Sequence, residues 1–498
     1  MNGRSAPSEI VASHHSKSPN IILIVLDAVR ARNVSAYGYL QETTPFLDEF
    51  AAGNLLFNRA ISPATWTIPT HASLLSGLYL SQHRLETLKG DRRFNPHIRT
   101  LPDLLSENGY QTAAFSQNIL FSGQHYLADG FREFYHLEDF LNLPRRKAQN
   151  QRKRRMFGAD GAVTGYLRKL RGPRLLFDKM TRWLNALDDE TPAFLMTNIT
   201  NAHYPWAPPL DLLLPKLGSD IGNVCKRDFV TLDPFRFNSG ISQVTDTHRR
   251  MWLAFYDAAI MHVDREVGRF LRRLSRWEGW SNTIVIITAD HGELLGDYRD
   301  IVGHTLSVTD KLIHVPLMIR HPDYLGGISV EGVVQTLDLL ASIVHWLGLE
   351  PQNIAPAQLQ RPPLANAVAN AADHGGIAFA EEDYTDGYDV IGGLQRVNPE
   401  MDAYKYPRQQ IAVRSATHKY IWFDDRPGEF YDLLTGPAEE HNILDSGIAA
   451  QLPSLLSLQD ALASWRSNLE LLHAWDVPDV YQMDTDVRAR LRELGYVH

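Results

Sequence analysis

Three apolar, β-branched runs divide the first two thirds of the chain, at residues 21–26, 193–199 and 283–288. Each run ends at or just before a polar residue, as buried parallel strands do when their C-terminal ends carry a site. Apolar positions at helical spacing lie between the runs and predict helices at residues 45–52, 99–108, 251–274 and 333–348. This alternation predicts an α/β fold with a large mixed, mostly parallel sheet covered by helices on both faces.

The pattern changes after residue 350. Residues 351–376 are rich in Pro, Ala, Gln and Asn with little periodicity, which predicts a loop leading away from the main domain. Short strands with an intervening turn are predicted beyond it, at residues 410–414, 419–423 and 429–433. We therefore expect a disordered tail at residues 1–18, a main domain at 19–350, the connecting loop at 351–376, and a C-terminal α+β subdomain at 377–498.

Composition and charge exclude some classes of protein. The 498 residues carry a formal net charge of -9, which argues against a general nucleic-acid binder. The single cysteine, Cys225, excludes an internal disulfide. Residues 1–20 lack the apolar run of a secretory signal, and the stretch at 333–349 is interrupted by polar residues and shorter than the about 20 residues that span a bilayer. We therefore expect a cytoplasmic protein without a transmembrane segment.

Residues 145–155 form the main basic run. A solvated helix face explains such a run most simply. Steering of an anionic substrate, contact with acidic lipid or polysaccharide, and contact with nucleic acid are the alternatives.

Polar residues at the ends of two predicted strands suggest a metal site. Asp27 follows the first run, where a carboxylate can reach a bound cation without being buried unpaired, although Asp is also a common helix N-cap. Asp290 and His291 follow the third run and offer one oxygen and one imidazole nitrogen to a divalent ion such as Mn²⁺ or Zn²⁺, although such a sequence can also form a simple turn.

Three further residues can contribute chemistry. Thr67 precedes a predicted helix start, where backbone N–H groups favour an anionic group; a plain N-cap threonine has the same pattern. His203 lies in a proline-rich loop that lets the imidazole project into a cleft, and His304 lies in a loop beside a glycine. Lone histidines are also common as structural residues, so the residue types alone leave both assignments open.

The segment from Thr67 to Gly77 resembles the nucleophile segment of the sulfatase family, within the alkaline phosphatase-like superfamily. The family pattern Cys-x-Pro-Ser-Arg-x-x-Leu-x-Thr-Gly places Thr67 where a cysteine normally becomes formylglycine and His71 at the arginine. Other blocks similar to that family occur in the expected order along the chain, at residues 21–27, 37–38, 44–48, 109–113, 202–209, 256–260, 263–264, 282–293, 303–304 and 314–319.

The resemblance implies roles for these residues. It makes Asp27, Asp290 and His291 ligands of one divalent ion (Mn, Zn, Ca or Mg) and gives the fold its small C-terminal antiparallel sheet. It makes Thr67 a nucleophile that is also a metal ligand. It also implies that His203 and His304 donate protons to the transferred group, and that His71 orients Thr67 or binds a substrate oxygen.

Four departures from a true sulfatase shift the expected substrate from sulfate esters towards phosphate esters. The chain has Asp27-Ala28 for a paired Asp-Asp, His71 for Arg and His304 for Lys, and residues 115–120 replace a Gly-Lys-Trp-His segment, although Asn118 could still contact substrate. Threonine cannot be oxidised to the aldehyde, so covalent chemistry would use its hydroxyl.

We therefore expect a metal-dependent hydrolase or transferase that acts on anionic phosphate, phosphonate or sulfate esters. The competing hypotheses are a catalytically degenerate binding protein and a true sulfuric ester hydrolase. The sequence leaves the subunit number open, a homo-oligomer included.

Overall fold

The structure is a computed structural model, which describes residues 17–85, 92–121, 127–137, 159–188, 190–224, 226, 231–324, 326–350, 354–373, 375–385, 390–446, 452–469 and 475–476. Most of the predicted tail, the whole basic run at 145–155 and Cys225 lie outside these residues. Among them, no helix is both long enough and apolar enough to cross a membrane.

The strands of the described residues number seventeen. They are β1 (Asn20–Leu26), β2 (Leu55–Ile61), β3 (Arg92–Arg93), β4 (Gln111–Ser116), β5 (Glu133–His136), β6 (Ala193–Ile199), β7 (Thr283–Thr288), β8 (Leu294–Leu295), β9 (Val302–Gly303), β10 (His314–Val315), β11 (Leu317–Arg320), β12 (Ile328–Gln335), β13 (Ala378–Asp383), β14 (Gln409–Arg414), β15 (His418–Phe423), β16 (Glu429–Asp432) and β17 (Trp475–Asp476).

Thirteen α-helices are found in the same residues. They are α1 (Pro45–Gly53), α2 (Thr67–Ser76), α3 (Leu80–His83), α4 (Leu101–Glu107), α5 (Ala159–Leu184), α6 (Leu210–Leu217), α7 (Pro234–Asn238), α8 (Asp246–Leu274), α9 (Asp310–Ile313), α10 (Asp338–Trp346), α11 (Leu364–Ala369), α12 (Val390–Val397) and α13 (Pro453–Asn468).

The main sheet has nine strands in the described residues, in the order β10-β2-β11-β7-β1-β6-β4-β5, with β12 also paired to β2. The three predicted apolar runs are its centre, because β1 lies between β7 and β6 and is parallel to both. Val25 of β1 aligns with Thr288 of β7 and with Asn198 of β6. The C-terminal ends of these strands therefore meet at one edge, as the predicted α/β fold requires.

Both faces of the sheet are buried. Alternate residues of β1 enter two different cores: Ile21, Leu23 and Val25 join one, and Ile22 and Leu26 join the other. Helices α2, α4 and α10 contribute to the first core, whereas α1, α5 and α8 contribute to the second. This two-sided burial explains why the central strands are continuous apolar runs, and it confirms the predicted layers.

Two parts of the sequence prediction were wrong. The helix predicted at 333–348 begins only at Asp338, because residues up to Gln335 belong to β12 and pair with β2. The segment at 351–376 is not simply a loop that leaves the domain. It contains α11, and Leu364 and Val368 of that helix are buried in the first core.

The predicted C-terminal strands are confirmed as part of a separate antiparallel sheet in the order β13-β14-β15-β16. Helix α13 covers this sheet through Leu455, Leu458 and Leu462. The sheet also contacts the main domain, since Glu382 of β13 accepts hydrogen bonds from Thr65 Oγ1 (3.1 Å) and from the backbone N–H of Leu306 (2.8 Å). The C-terminal sheet therefore supports the segments that precede Thr67 and follow His304.

Candidate active site

The predicted metal ligands lie together at the C-terminal edge of the sheet. Asp27 directly follows β1, and Asp290 and His291 follow β7, with no more than 1 % of any of the three side chains exposed. One ligand atom from each lies within 4.8 Å of the other two. Asp27 is not a helix N-cap, because the next helical turn, at Ala31–Asn33, has Arg30 in that position.

The distances within this group fit a single cation. His291 Nε2 lies 3.8 Å from Asp27 Oδ1 and 3.6 Å from Asp290 Oδ2. Ligand atoms bonded to one ion at about 2.0–2.2 Å are necessarily separated by roughly 3–4 Å. Asp27 Oδ1 and Asp290 Oδ2 are also buried without a hydrogen-bond partner. Buried carboxylate oxygens without a partner are costly unless a cation binds them, so the residues present fit a divalent ion.

Backbone contacts hold the ligands in position. His291 Nδ1 donates to the carbonyl oxygen of Gly292 (2.7 Å), so the lone pair lies on Nε2 and faces the carboxylates. Asp290 Oδ1 accepts from the backbone N–H groups of His291 (2.9 Å) and Ala28 (3.2 Å), which leaves Oδ2 for the cation. Ala28 is held in the left-handed region, with φ 63°, by this bond and by Tyr256 Oη, which donates to its carbonyl oxygen. The Asp27-Ala28 turn is therefore fixed by both β7 and α8.

Thr67 lies beside the metal ligands. Its Oγ1 is 3.5 Å from His291 Nε2 and accepts from Asn118 Nδ2 (3.2 Å). The same Asn118 nitrogen donates to Asp27 Oδ2 (2.6 Å), so this amide links the threonine hydroxyl to the first carboxylate. Thr67 is the first residue of α2, and Trp66 occupies the N-cap position. A plain N-cap role for Thr67 is therefore excluded.

His71 lies one turn along α2 and contacts the backbone of Thr67. Its Nδ1 donates to the carbonyl oxygen of Thr67 (2.9 Å), and its Nε2 accepts from Asn198 Nδ2 (3.2 Å). Burial lowers the pKa of His71 to about 4, so the imidazole is neutral at physiological pH. His71 thus supports the first turn of α2 rather than supplying the positive charge of the family's arginine.

Burial dominates the electrostatics of the metal ligands. Burial and the neighbouring Asp290 raise the pKa of Asp27 to about 7, and burial raises the pKa of Asp290 to about 6. Burial and the nearby His304 lower the pKa of His291 to about 4. Two closely spaced carboxylates beside a neutral imidazole repel each other when no cation is bound. A bound cation stabilises both negative charges.

His203 and His304 lie next to this group, with Glu293 between them. The His304 ring is 4.6 Å from the His291 ring and 4.8 Å from the His203 ring, measured between centroids. Burial lowers the pKa of His203 well below its usual value. Burial also acts to lower the pKa of His304, but three carboxylates together raise it: Glu293, whose Oε1 lies 3.1 Å from His304 Nδ1, and the more distant Asp27 and Asp290. His304 is thus the better proton carrier of the two.

Three site residues were missed in the sequence. Glu293 lies in the block at 282–293, where the resemblance implies no role for it, and Asn198 is an interior residue of a buried strand. Lys169 belongs to a basic stretch that resembles a solvated helix face, yet its Nζ donates to the carbonyl oxygens of Thr200 (2.8 Å) and His203 (2.6 Å). Of these three residues, Glu293 alone had a signal in the sequence, because it is an acidic residue only two positions after the predicted ligand His291.

The raised carboxylate pKa values predict an unusual stability effect. A pKa of about 7 for Asp27, against 3.8 when unfolded, means that the metal-free folded state loses stability as pH rises from about 4 to about 7. Asn imitates the protonated acid, so Asp27→Asn is expected to stabilise the metal-free protein at pH 8 by on the order of a few kcal/mol, and by less at pH 5. Thermal unfolding in the presence of a chelator checks this expectation. Equal or lower stability of the variant at pH 8 would contradict it.

Comparisons with known proteins indicate the family to which the chain belongs. A family model described as Sulfatase matches residues 19–349. Arylsulfatase K of Mus musculus is 24% identical over 460 residues, which covers 86% of this chain and 76% of that protein.

Solved structures share the fold. The phosphonate monoester hydrolase of Agrobacterium radiobacter has a TM-score of 0.67 at 21% identity and covers 90% of this chain and 95% of its own. A protein solved in complex with its substrate D-glucosamine-2-N,6-O-disulfate has a TM-score of 0.65 at 18% identity, with coverage of 91% and 99%. The Sulfatase family model matches more than half of this chain, so the chain belongs to the sulfatase family of ester hydrolases.

Proposed function

We propose that the protein is a metal-dependent hydrolase or transferase of phosphate or phosphonate esters that uses Thr67 as its nucleophile. The observation that carries this proposal is the position of the Thr67 hydroxyl, held by Asn118 and 3.5 Å from the His291 nitrogen that faces both carboxylates. Asp27, Asp290 and His291 would hold one divalent ion, with Thr67 as a further ligand. When bound, such an ion lowers the pKa of a coordinated hydroxyl and neutralises charge that develops on the substrate.

The surrounding residues suit a covalent displacement. Thr67 begins α2, so the backbone N–H groups of the first turn favour the anionic group of an ester. The bond from Thr67 Oγ1 to phosphorus forms as the bond to the leaving oxygen breaks, and His304 or His203 donates the proton that the leaving oxygen needs. His304 suits this role because Glu293 raises its pKa. Water or an alcohol then releases the ester from Thr67.

Asn118 and His71 would act by positioning in this proposal. The Asn118 amide already bridges Thr67 and Asp27, and its Oδ1 accepts from the backbone N–H of Leu120 (2.8 Å). His71 fixes the backbone of Thr67 from within α2. The retained ligand set argues against a degenerate binding protein, since such a protein would have no need of two buried carboxylates that each keep one oxygen without a hydrogen-bond partner.

A sulfuric ester hydrolase is the second candidate, and it is favoured by the similarity to arylsulfatase K. Two features of this chain oppose it. The hydroxyl of Thr67 cannot supply the aldehyde hydrate of a formylglycine, and neutral His71 stands where a sulfatase has a permanent positive charge.

A panel of substrates distinguishes the two candidates. We expect phosphodiesters or phosphonate monoesters to be turned over faster than aryl sulfates, with Mn²⁺, Zn²⁺, Mg²⁺ and Ca²⁺ supplied separately. Thr67→Ala, purified in the same way, controls for contaminating phosphatases. A clear preference for aryl sulfate would reject the phosphorus ester and retain the family.

Two further predictions from the sequence concern the location of the protein and the boundary of its C-terminal subdomain. We propose a cytoplasmic location, and we propose that the C-terminal subdomain begins near residue 377, where the antiparallel sheet starts with β13.

A further inference from the structure

We propose that Glu382 is a positioning residue that fixes Thr67 and His304 relative to each other from the C-terminal sheet. Glu382 is buried on β13. Its Oε1 accepts from Thr65 Oγ1 (3.1 Å), two residues before the nucleophile, and from the backbone N–H of Leu306 (2.8 Å), two residues after the proton donor. The role rests on the proposed function, because the nucleophile and the proton donor that it positions are assigned there.

The loop that carries His304 is held in a strained conformation. The buried residue Leu306 has a φ of 72°, in the left-handed region that residues with bulky side chains rarely adopt. Its N–H also donates to Tyr384 Oη (3.0 Å), and that hydroxyl in turn donates to Glu382 Oε1. Strained backbone persists only where the surroundings hold it, and it is typical of functional sites. Glu382 and Tyr384 therefore fix the loop after His304.

The segment before Thr67 is bound from two sides. Ser62 Oγ donates to the carbonyl oxygen of Asp290 (2.5 Å), which connects one side of the segment to the metal ligands. Thr65 Oγ1 makes the contact on the other side, with Glu382. Removal of Glu382 would release only the side that faces the C-terminal sheet. We therefore expect it to change the positions of the reacting groups more than the affinity for the metal.

The surroundings of Glu382 favour positioning over stability. Its Oε2 accepts from Gln410 Nε2, and the four donors that the described residues supply to this carboxylate are all neutral groups. Burial raises the pKa of Glu382 to about 7, so its ionised form is costly in this position. A buried acid with a strongly shifted pKa is more typical of a functional site than of a stabilising contact.

The dependence of the rate on the leaving group tests this role. Glu382→Ala removes the acceptor for Thr65 and Leu306, so the loop of His304 can relax and proton donation to the leaving oxygen should be impaired. A nitrophenyl ester needs little proton donation, whereas an alkyl ester depends on it. We expect kcat for the alkyl ester to fall by on the order of a hundredfold, and at least about tenfold more than kcat for the nitrophenyl ester.

The neighbouring residue Glu381 provides the matched control. It is also buried on β13, but it accepts from Ser81 Oγ (3.1 Å), outside the site, so Glu381→Ala should leave the ratio of the two rates unchanged. Glu382→Gln keeps an acceptor oxygen and should restore most of the activity. Tyr384→Phe removes the second acceptor of the Leu306 N–H and should shift the ratio in the same direction as Glu382→Ala. If Glu382→Ala does not fold, an unchanged ratio in Tyr384→Phe overturns the positioning role.

Hydrogen–deuterium exchange gives a second measurement that does not depend on which ester is cleaved. Peptides that cover residues 304–308 should exchange faster in Glu382→Ala than in wild type or in Glu381→Ala. Equal exchange in all three proteins, or an equal loss of both rates in Glu382→Ala, would overturn the positioning role. Failure of the proposed function has a different signature, because Thr67→Ala would then keep wild-type turnover while the difference in exchange remained.

Discussion

Replacing Thr67 with alanine is expected to lower kcat by at least about a thousandfold, the scale on which removal of a covalent catalytic group acts. The substitution removes the hydroxyl that accepts from Asn118 and lies beside His291. It leaves Asp27, Asp290 and His291 in place, so the fold and most of the metal affinity should survive. Steady-state kinetics on the best ester of the panel measures the effect.

Two variants control for the loss of a buried hydroxyl. Thr67→Ser keeps the hydroxyl and removes only a methyl group, so it should retain more activity than Thr67→Ala. Ser76→Ala removes a hydroxyl at the other end of α2, where Ser76 Oγ donates to the carbonyl oxygen of Ala72 (2.6 Å). Near wild-type turnover in Thr67→Ala, with Asp290→Ala inactive, would mean that water attacks the substrate directly.

The second large effect concerns Asp290. Asp290→Ala is expected to abolish the tight binding of about one Mn²⁺ per chain, with a loss of affinity above the 10–100-fold typical of residues that only support a ligand. The reason is twofold, because the substitution removes the partnerless oxygen Oδ2 and also the acceptor for the N–H groups of Ala28 and His291. Isothermal titration with Mn²⁺ measures the loss.

Asp290→Asn separates these two contributions. Asparagine keeps an oxygen that accepts from both N–H groups but lacks the negative charge, so it should preserve the turn and still weaken metal binding. Asp246 is an exposed carboxylate of α8, and Asp246→Asn serves as the surface control. Unchanged Mn²⁺ stoichiometry in Asp290→Ala would reject the assignment of the metal site.

The sequence was sufficient for the features that local pattern determines. The three apolar runs became neighbouring central strands, because only two-sided burial needs uninterrupted apolar residues. Their ends also predicted which carboxylates would meet. The start of α10 was misplaced because β12 and α10 form one apolar stretch, and only the pairing of β12 with β2 separates them.

The contacts that the sequence could not predict are long-range ones. The bridge of Asn118 between Asp27 and Thr67 joins residues that are 91 and 51 positions away from it. Lys169 resembles a surface residue until its contact with the loop of His203 is known. Similarly, the contact of Glu293 with the two histidines is known only when the loops that carry His203 and His304 are brought next to it.

The most direct test of the central claim is mass analysis of the quenched reaction. Trypsin cleaves after Arg59 and Arg84 and releases residues 60–84, a peptide that contains Thr67. Acid quenching during turnover of a phosphonate or phosphodiester, in wild type or in a His203→Ala variant that slows breakdown, should give this peptide a mass gain equal to the transferred group, with fragmentation placing that gain on Thr67. An unmodified peptide in both proteins during active turnover, or a gain placed on another residue, would contradict Thr67 as the nucleophile.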